Sequence, residues 1–201
     1  TFYDLTLGKL KSININIIGE VNNPGYYSIH PFSSITMSLI LNGGVKTTGS
    51  LRDIQLIRNG KILTNFDFYN NIIKGNSLDD IQLKNNDIVY VPYRLSSIEI
   101  IGAVTKPAIY ELKNNENLID LFNICGGMDV KATGKIEINR VLSFRDRQGH
   151  DNAHQGYIID YDNIGSFQLI DGDIVTIKEI TKNNNYVIIN GQVKIPGEYP
   201  Y

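Results

Sequence analysis

One sequence pattern recurs three times along this chain and constrains its fold more than any other feature. Each copy carries Gly-x-Val a few residues before a proline, and the copies lie at residues 17–29, 100–112 and 189–199. Their prolines, Pro24, Pro107 and Pro196, are separated by 83 and 89 residues. Solenoid repeats have periods of only about 20–50 residues, so this spacing marks a whole small domain. The sequence therefore predicts two domains of one kind and the opening of a third, and we interpret the chain as a fragment of a longer protein.

Further sequence blocks follow the first two copies in the same order. An apolar segment ends in a Gly-Gly pair, which begins at Gly43 in one copy and 83 residues later, at Gly126, in the other. A short segment then ends at Arg58 or, 82 residues later, at Arg140. Each copy closes with a polar turn and an Asp-Ile-Val strand pattern. From this order we predict the tail of a preceding segment, two complete domains and a truncated third, at residues 1–12, 13–93, 94–182 and 183–201.

Alternation of apolar and polar residues predicts the strands of each copy. Ile13, Ile15 and Ile17 alternate with asparagines, which is the period of two expected for a strand with one wet face. A helix is predicted before each Gly-Gly pair, near residues 33–42 and 116–125. One helix must cover one face of a small sheet if this β-β-α-β-β order, with room for one short extra strand, is to bury a core. The predicted fold class is therefore α+β, with two tandem β-grasp domains, each a small mixed sheet with one main helix, plus the first strand of a truncated third.

The buried faces of the two predicted helices can be assigned from residue spacing. In the first helix, Ile35, Leu39 and Ile40 are expected on the side that faces the sheet. In the second, apolar side chains recur at i, i+3, i+4 and i+7 and end at Cys125, which defines one helical face. Cys125 is the only cysteine, so an internal disulfide is excluded. Its place on the apolar face predicts a small core side chain rather than a reactive thiol.

Charge and hydropathy exclude two classes of partner. The net charge is −2, and acidic and basic residues are interspersed, so no basic surface suited to nucleic acid is expected. No apolar run approaches the roughly 20 residues that span a bilayer. We therefore predict no nucleic-acid partner and no direct membrane contact in this part of the protein.

No pattern typical of an active site or a cofactor site occurs in the sequence. The Gly-Gly pairs follow a helix instead of preceding it, which is the wrong end of the helix dipole for holding phosphate. His150 and His154 have the i, i+4 spacing of a helical metal site, but their polar, glycine-flanked context predicts a solvated loop. We predict a chain that is not an enzyme and that has no catalytic residues, no cofactor and no metal site.

Five residues are candidate ligand contacts: Tyr26, Tyr27, Arg58, Tyr110 and Arg140. The two arginines occupy equivalent positions, and their planar guanidinium groups suit sugar hydroxyls or acidic sugar groups. Their alternative role is an ion pair, either with a neighbouring repeat or with Asp67 and Asp160. The tyrosines lie beside the prolines, where their rings can stack on sugars; the alternative for them is packing in the core.

The ordered blocks resemble a known domain family over nearly the whole chain. The Gly-Glu-Val-x-x-Pro-Gly-x-Tyr motif, the helix ending in Gly-Gly, the strand ending in Arg and the Asp-x-Val-x-Val pattern are similar to the soluble-ligand-binding β-grasp (SLBB) domain. The two copies are more similar still to the tandem SLBB domains of bacterial outer-membrane polysaccharide export proteins. Residues 7–13, 49–54 and 106–112 in particular resemble the large capsule-export members.

This resemblance implies a function in polysaccharide transport. It implies a periplasmic, non-enzymatic module of a ring-shaped channel that moves capsular polysaccharide or exopolysaccharide across the outer membrane. The implied partners are the polysaccharide, other protomers of the ring and an inner-membrane chain-length or export protein. An alternative is a binding module for a soluble glycan or small ligand that is not part of a channel. A subdomain of a redox enzyme is disfavoured, because one cysteine cannot supply the usual iron–sulfur ligands.

Overall fold

Two sheets of identical topology contain the strands of the two complete repeats. The computed structural model of the protein describes Gly8 and residues 10–76, 78–147, 153–180 and 186–200. Within these residues, each repeat forms one five-stranded mixed sheet, and the third repeat contributes a separate two-stranded sheet. Each sheet of five places a parallel pair of strands side by side near its centre.

The elements of the first domain are β1 (Ile13–Gly19), β2 (Gly25–Ile29), α1 (Ile35–Leu41), β3 (Ile54–Arg58), β4 (Lys61–Phe66), α2 (Phe68–Lys74) and β5 (Ile88–Val91). The strand order is β2-β1-β5-β3-β4, with β1 and β5 parallel and the other pairs antiparallel. The first and last strands are therefore direct neighbours, although the chain between them makes the rest of the domain.

The elements of the second domain are β6 (Ser97–Gly102), β7 (Ala108–Glu111), α3 (Leu118–Cys125), β8 (Ala132–Val141), β9 (His154–Asp160), a 3-10 helix (Tyr161–Ser166) and β10 (Ile174–Glu179). The order β7-β6-β10-β8-β9 repeats that of the first domain, and β6 and β10 form the parallel pair. This confirms the predicted α+β fold with two tandem domains. Each sheet includes a fifth strand, and a short helical segment follows β4 and β9.

In each domain, one face of the main helix packs against the sheet and forms part of the apolar core. Ile35 and Leu39 of α1 are buried against β1, β3 and β5, and Cys125 of α3 is fully buried, as predicted. The prediction for Ile40 is wrong, because its side chain is 62% exposed. At 3.6 residues per turn, a side chain five positions after Ile35 points well away from it, so Ile40 lies outside the buried stripe.

The glycine of the repeated motif is required by a close approach between backbones. Gly19 and Gly102 have φ angles of 91° and 86°, a conformation that disfavours residues with a Cβ atom. A Cβ atom would lie 2.1 Å from the carbonyl oxygen of Val91 at Gly19, and 2.0 Å from that of Ile177 at Gly102. The same glycine therefore ends the first strand of both domains, where the last strand passes beside it.

The third repeat forms a hairpin of β11 (Tyr186–Ile189) and β12 (Gly197–Pro200). Its first strand is the one that the sequence predicts. The expectation that this strand lacks a return strand, and is either disordered or paired with another sheet edge, is wrong, since β12 pairs with it antiparallel. The register places Ile189 opposite Gly197, which matches Ile17 opposite Gly25 in the first domain. The hairpin geometry is therefore encoded within the motif itself.

Candidate functional site at the domain junction

A buried arginine joins the two domains. Arg52 lies between α1 and β3 in the first domain, and its side chain is 5% exposed. Its Nε and Nη2 atoms donate to the Asp67 carboxylate of the same domain, at 3.3 and 3.2 Å. Across the junction, Nη2 donates to Glu116 at 2.8 Å, Nη1 donates to the other oxygen of that carboxylate, and Nη1 also donates to the Glu111 carbonyl oxygen at 3.1 Å. A planar fork of donors is the geometry for which arginine is suited.

A buried carboxylate of the second domain, Glu111, binds groups of the first domain at the same junction. Glu111, at the end of β7, accepts hydrogen bonds from the Ser50 hydroxyl at 2.6 Å and from the Leu51 backbone N–H at 2.7 Å. Its own backbone N–H donates to the Tyr69 hydroxyl oxygen at 3.1 Å. Glu111 is only 7% exposed, so these bonds take the place of the hydrogen bonds that water would make to an exposed carboxylate.

Aromatic rings and a lysine complete the contact. The Tyr69 ring lies 4.9 Å from the Arg52 guanidinium carbon and meets the Tyr110 ring edge-on at 6.4 Å between centroids. Lys113 of the second domain places its Nζ atom 2.7 Å from Asp67. We call this set the junction network: Ser50, Arg52, Asp67, Tyr69, Tyr110, Glu111, Lys113 and Glu116.

Arg52 and Asp67 stay charged despite their burial because each has a partner of opposite charge. Burial alone would lower the pKa of Arg52, but the hydrogen bonds to Glu116 and Asp67 raise it above its usual value. Burial alone would raise the pKa of Asp67, but Lys113 and Arg52 hold it below its usual value. Both groups are therefore charged at neutral pH, and the network holds because each charge has a partner in the other domain.

Local helix geometry positions these side chains. Asp67 is the N-cap of α2 and accepts hydrogen bonds from the Tyr69 and Asn70 backbone N–H groups, at 2.9 and 3.3 Å. Glu116 immediately precedes Asn117, whose side chain caps α3. Two helix beginnings thus meet at Arg52, and the positive ends of both helix dipoles favour the carboxylates found there.

Comparison with known families follows the internal repeat. The SLBB domain model matches residues 14–65 and again residues 98–149, which together are just over half of the chain. The chain belongs to the SLBB family. SLBB domains are ligand-binding modules of polysaccharide export proteins. A search among curated proteins found no match.

The paired arginines of the SLBB repeats form ion pairs inside each domain. Arg58 donates to Asp87 from Nε and Nη2, at 2.7 and 2.6 Å. Arg140 binds Asp173 in the same way, at 2.9 and 2.7 Å. The alternative that named Asp67 and Asp160 as partners is therefore wrong. Asp87 and Asp173 immediately precede the last strand of each domain, which lies beside the strand that carries the arginine. Asp67 instead follows β4, and Asp160 lies opposite Lys135, five residues along β8 from Arg140.

One tyrosine on the second strand of each SLBB hairpin stabilises the turn of that hairpin. The hydroxyls of Tyr27, Tyr110 and Tyr199 donate to the carbonyl oxygens of the residues preceding the three prolines, at 2.8, 2.9 and 2.9 Å. Their rings thereby tie the return strand to the turn in all three repeats. Tyr26 makes no such bond among the described contacts, and it is 84% exposed.

The structure does not gather the five candidate ligand contacts into one site. Tyr26, Tyr27 and Arg58 belong to the first domain, whereas Tyr110 and Arg140 belong to the second. Only Tyr110 reaches the junction network, through its contact with Tyr69. Their role in ligand binding stays a prediction, and for Arg58 and Arg140 it would require a ligand to compete with a buried carboxylate.

Of the two histidines with metal-site spacing, His150 lies outside the described residues. His154 is exposed at the start of β9, with its Nδ1 atom 3.1 Å from the Asn139 side-chain oxygen. In the described ranges no three His, Cys, Asp or Glu side chains are arranged to hold a metal ion. Over the same ranges, none of the helices has the length and apolar character needed to cross a membrane.

Sequence reasoning missed the centre of the junction, Arg52, and its partners Glu111 and Glu116. These residues have no counterpart in the repeat: position 134, which aligns with Arg52, is a glycine. Arg52 and Glu111 do lie in two of the stretches that resemble capsule-export proteins, and the stretch with Arg52, residues 49–54, lies outside the repeated motif. That was the available signal for Arg52.

Proposed function

We propose that the chain is a non-enzymatic periplasmic module of a protein that exports capsular polysaccharide or exopolysaccharide across the outer membrane. In this proposal the two SLBB domains act as one rigid arm. The arm contacts neighbouring protomers of an export ring, the passing polysaccharide and an inner-membrane chain-length or export partner. Membership of the SLBB family supports the proposal.

The observation that carries the proposal is the junction network. Desolvating several charges is costly, and the cost is offset only when each charge meets its partners in good geometry. Arg52, Asp67 and Glu111 are all less than 10% exposed, so this geometry is present in one docking arrangement of the two domains. Fixed orientation is what a module needs if it must present the same surfaces to each neighbour in a symmetric ring.

The proposal is tested in the organism that makes the protein. An in-frame deletion of residues 13–182 from the full-length gene removes both SLBB domains, and cell-surface polysaccharide is measured by staining and by quantifying shed glycan. We expect surface polysaccharide to be lost while polysaccharide accumulates inside the cell envelope. Fractionation with an antibody to this region should recover the full-length protein with the envelope. Normal surface polysaccharide in the deletion strain, or recovery of the protein in the cytoplasm, would contradict the proposal.

A further inference from the structure

A cleft of about 360 Å³ opens beside the junction network, and both domains and the linker between them form its walls. Its lining includes Asp53, Asn65, Tyr93, Leu95, Lys113 and Asn114. Ligand pockets commonly span about 300–1,000 Å³ and combine apolar walls with a few placed polar groups. This cleft lies at the lower end of that range, which suits one or two sugar rings.

One wall offers hydrogen-bonding groups whose positions are already fixed. The Asn65 side-chain amide donates to Asp53 Oδ1 at 2.7 Å, and the Gln55 amide donates to Oδ2 at 3.4 Å. Each carboxylate oxygen can accept two hydrogen bonds, so Asp53 keeps capacity for further donors. The Asn65 carbonyl oxygen stands beside it as another acceptor. Neighbouring sugar hydroxyls can donate to such a pair.

Another part of the lining is apolar and open to solvent. Tyr93 is 68% exposed and Leu95 is 78% exposed, and both belong to the linker. A tyrosine ring combines a flat apolar face with a polar tip, and it holds its shape with few rotatable bonds. A pyranose ring has a complementary form, because its C–H groups make an apolar face and its hydroxyls project from the edge.

The charges of the cleft favour an uncharged ligand. Lys113 is a partly exposed cation in its lining, and it is paired with Asp67 at 2.7 Å. Arg52 is occupied by the junction network. Asp53 has no cationic nitrogen within 4.0 Å among the described residues, so it adds uncompensated negative charge. An acidic sugar would be repelled by Asp53 and would find its potential counter-ions already engaged.

We propose that this cleft is a binding site for an uncharged pyranose unit, a hexose or an N-acetylhexosamine, of the glycan that the protein handles. The proposal rests on the proposed function for the source of the glycan. Tyr93 stacks on the apolar face of the sugar, and Asp53 and Asn65 bind its hydroxyls. Because the cleft is small and open, we expect weak binding, with a Kd of about 1 mM. Weak binding lets an exported polymer dissociate quickly from the site.

The test is an NMR titration of the 201-residue chain with three probes: maltotriose, N,N′-diacetylchitobiose and trigalacturonate. At least one of the two uncharged probes is expected to shift the Asn65 and Asn114 side-chain amides at concentrations up to about 10 mM. Tyr93→Ala should weaken that binding about tenfold or more. The matched control is Phe32→Ala, which removes an aromatic ring of similar exposure, 66%, outside the cleft and should leave binding unchanged.

Three results would overturn the site: no shift with either uncharged probe, tighter binding of trigalacturonate, or loss of binding in Phe32→Ala but not in Tyr93→Ala. None of them touches the proposed function, which depends on the deletion strain. Conversely, normal export in that strain, together with saccharide binding at the cleft, would leave a glycan-binding protein with a different role.

Discussion

Replacing Arg52 with methionine should uncouple the two domains without unfolding either of them. Methionine keeps much of the aliphatic bulk but removes all five N–H donors. Removing one partner from a buried ion pair costs about 3–5 kcal/mol. Asp67 keeps Lys113 at 2.7 Å and its two helix N–H donors, and the Glu116 side chain is 18% exposed and can recover water. We therefore expect a loss at the lower end of this range, about 3 kcal/mol. That loss corresponds to somewhat over a hundredfold in an equilibrium constant.

The loss should fall on the junction because of where the bonds of Arg52 lie. Domains of this size have free energies of unfolding of about 4–12 kcal/mol each. The Arg52 side chain bridges the domains and belongs to neither apolar core. Losing the bonds to Glu111 and Glu116 removes most of the coupling, whereas losing the bonds to Asp67 lowers the stability of the first domain only slightly, because Asp67 keeps Lys113 and its helix N–H donors.

Calorimetry counts the unfolding transitions, and hydrogen exchange measured by mass spectrometry reports the protection of each sheet. Wild-type protein should unfold in one transition, with β1 to β5 and β6 to β10 losing protection together. Arg52→Met should show two transitions and separate protection for the two sheets. The matched control is Arg140→Met, which breaks a buried pair inside the second domain and should lower the stability of that domain alone. If Arg52→Met keeps one transition, or shifts it no more than a surface substitution does, the junction network does not couple the domains.

Three further predictions concern single positions. Gly19→Ala should destabilise the first domain by at least about 3 kcal/mol more than Gly44→Ala in urea denaturation, because Gly44 shares the positive φ but has open space around it. Tyr27→Phe should cost about 1 kcal/mol through its lost hydroxyl bond, whereas Tyr26→Phe should change nothing measurable. The folded pKa of Asp67 lies below its unfolded value, so its contribution is complete above about pH 4 and declines as the pH falls further. Acid titration of domain coupling should therefore show a loss below pH 4 that is smaller in Asp67→Asn.

The repeat made the fold predictable, because its evidence appears twice. Alternating isoleucines located the first strand, and the Gly-Gly pairs located both main helices, within about two residues. The failure at Ile40 has a simple cause, since seven residues of helix offer little periodicity to average over. The hairpin of the third repeat was already present in the motif, but it was not recognised without the rest of a domain around it.

The junction was less predictable, because contacts between domains leave no periodic trace. The Arg58–Asp87 pair joins two strands that are neighbours only once the sheet order is known. Its counterpart in the second domain repeats the same two blocks, and that repetition was a usable signal for the partner. Arg52 and Glu116 lie 64 residues apart and occur in one copy each, so nothing in the spacing links them.

The parallel pairing of the first and last strands has a consequence for how the chain folds. In each domain the hairpin is local and can form within microseconds. The strands β5 and β10 are made roughly 60 residues later, several seconds behind the hairpin at ordinary rates of translation. Until then the hairpin exposes an open edge of alternating isoleucines. The edges of β1 and β6 are nearly interchangeable, because both end in the same glycine and both accept an Asp-Ile-Val strand. Synthesis in order from the N-terminus fills the first edge before the competing strand exists. Refolding from denaturant removes that order, and strand exchange between the two domains then becomes the characteristic misfolded product.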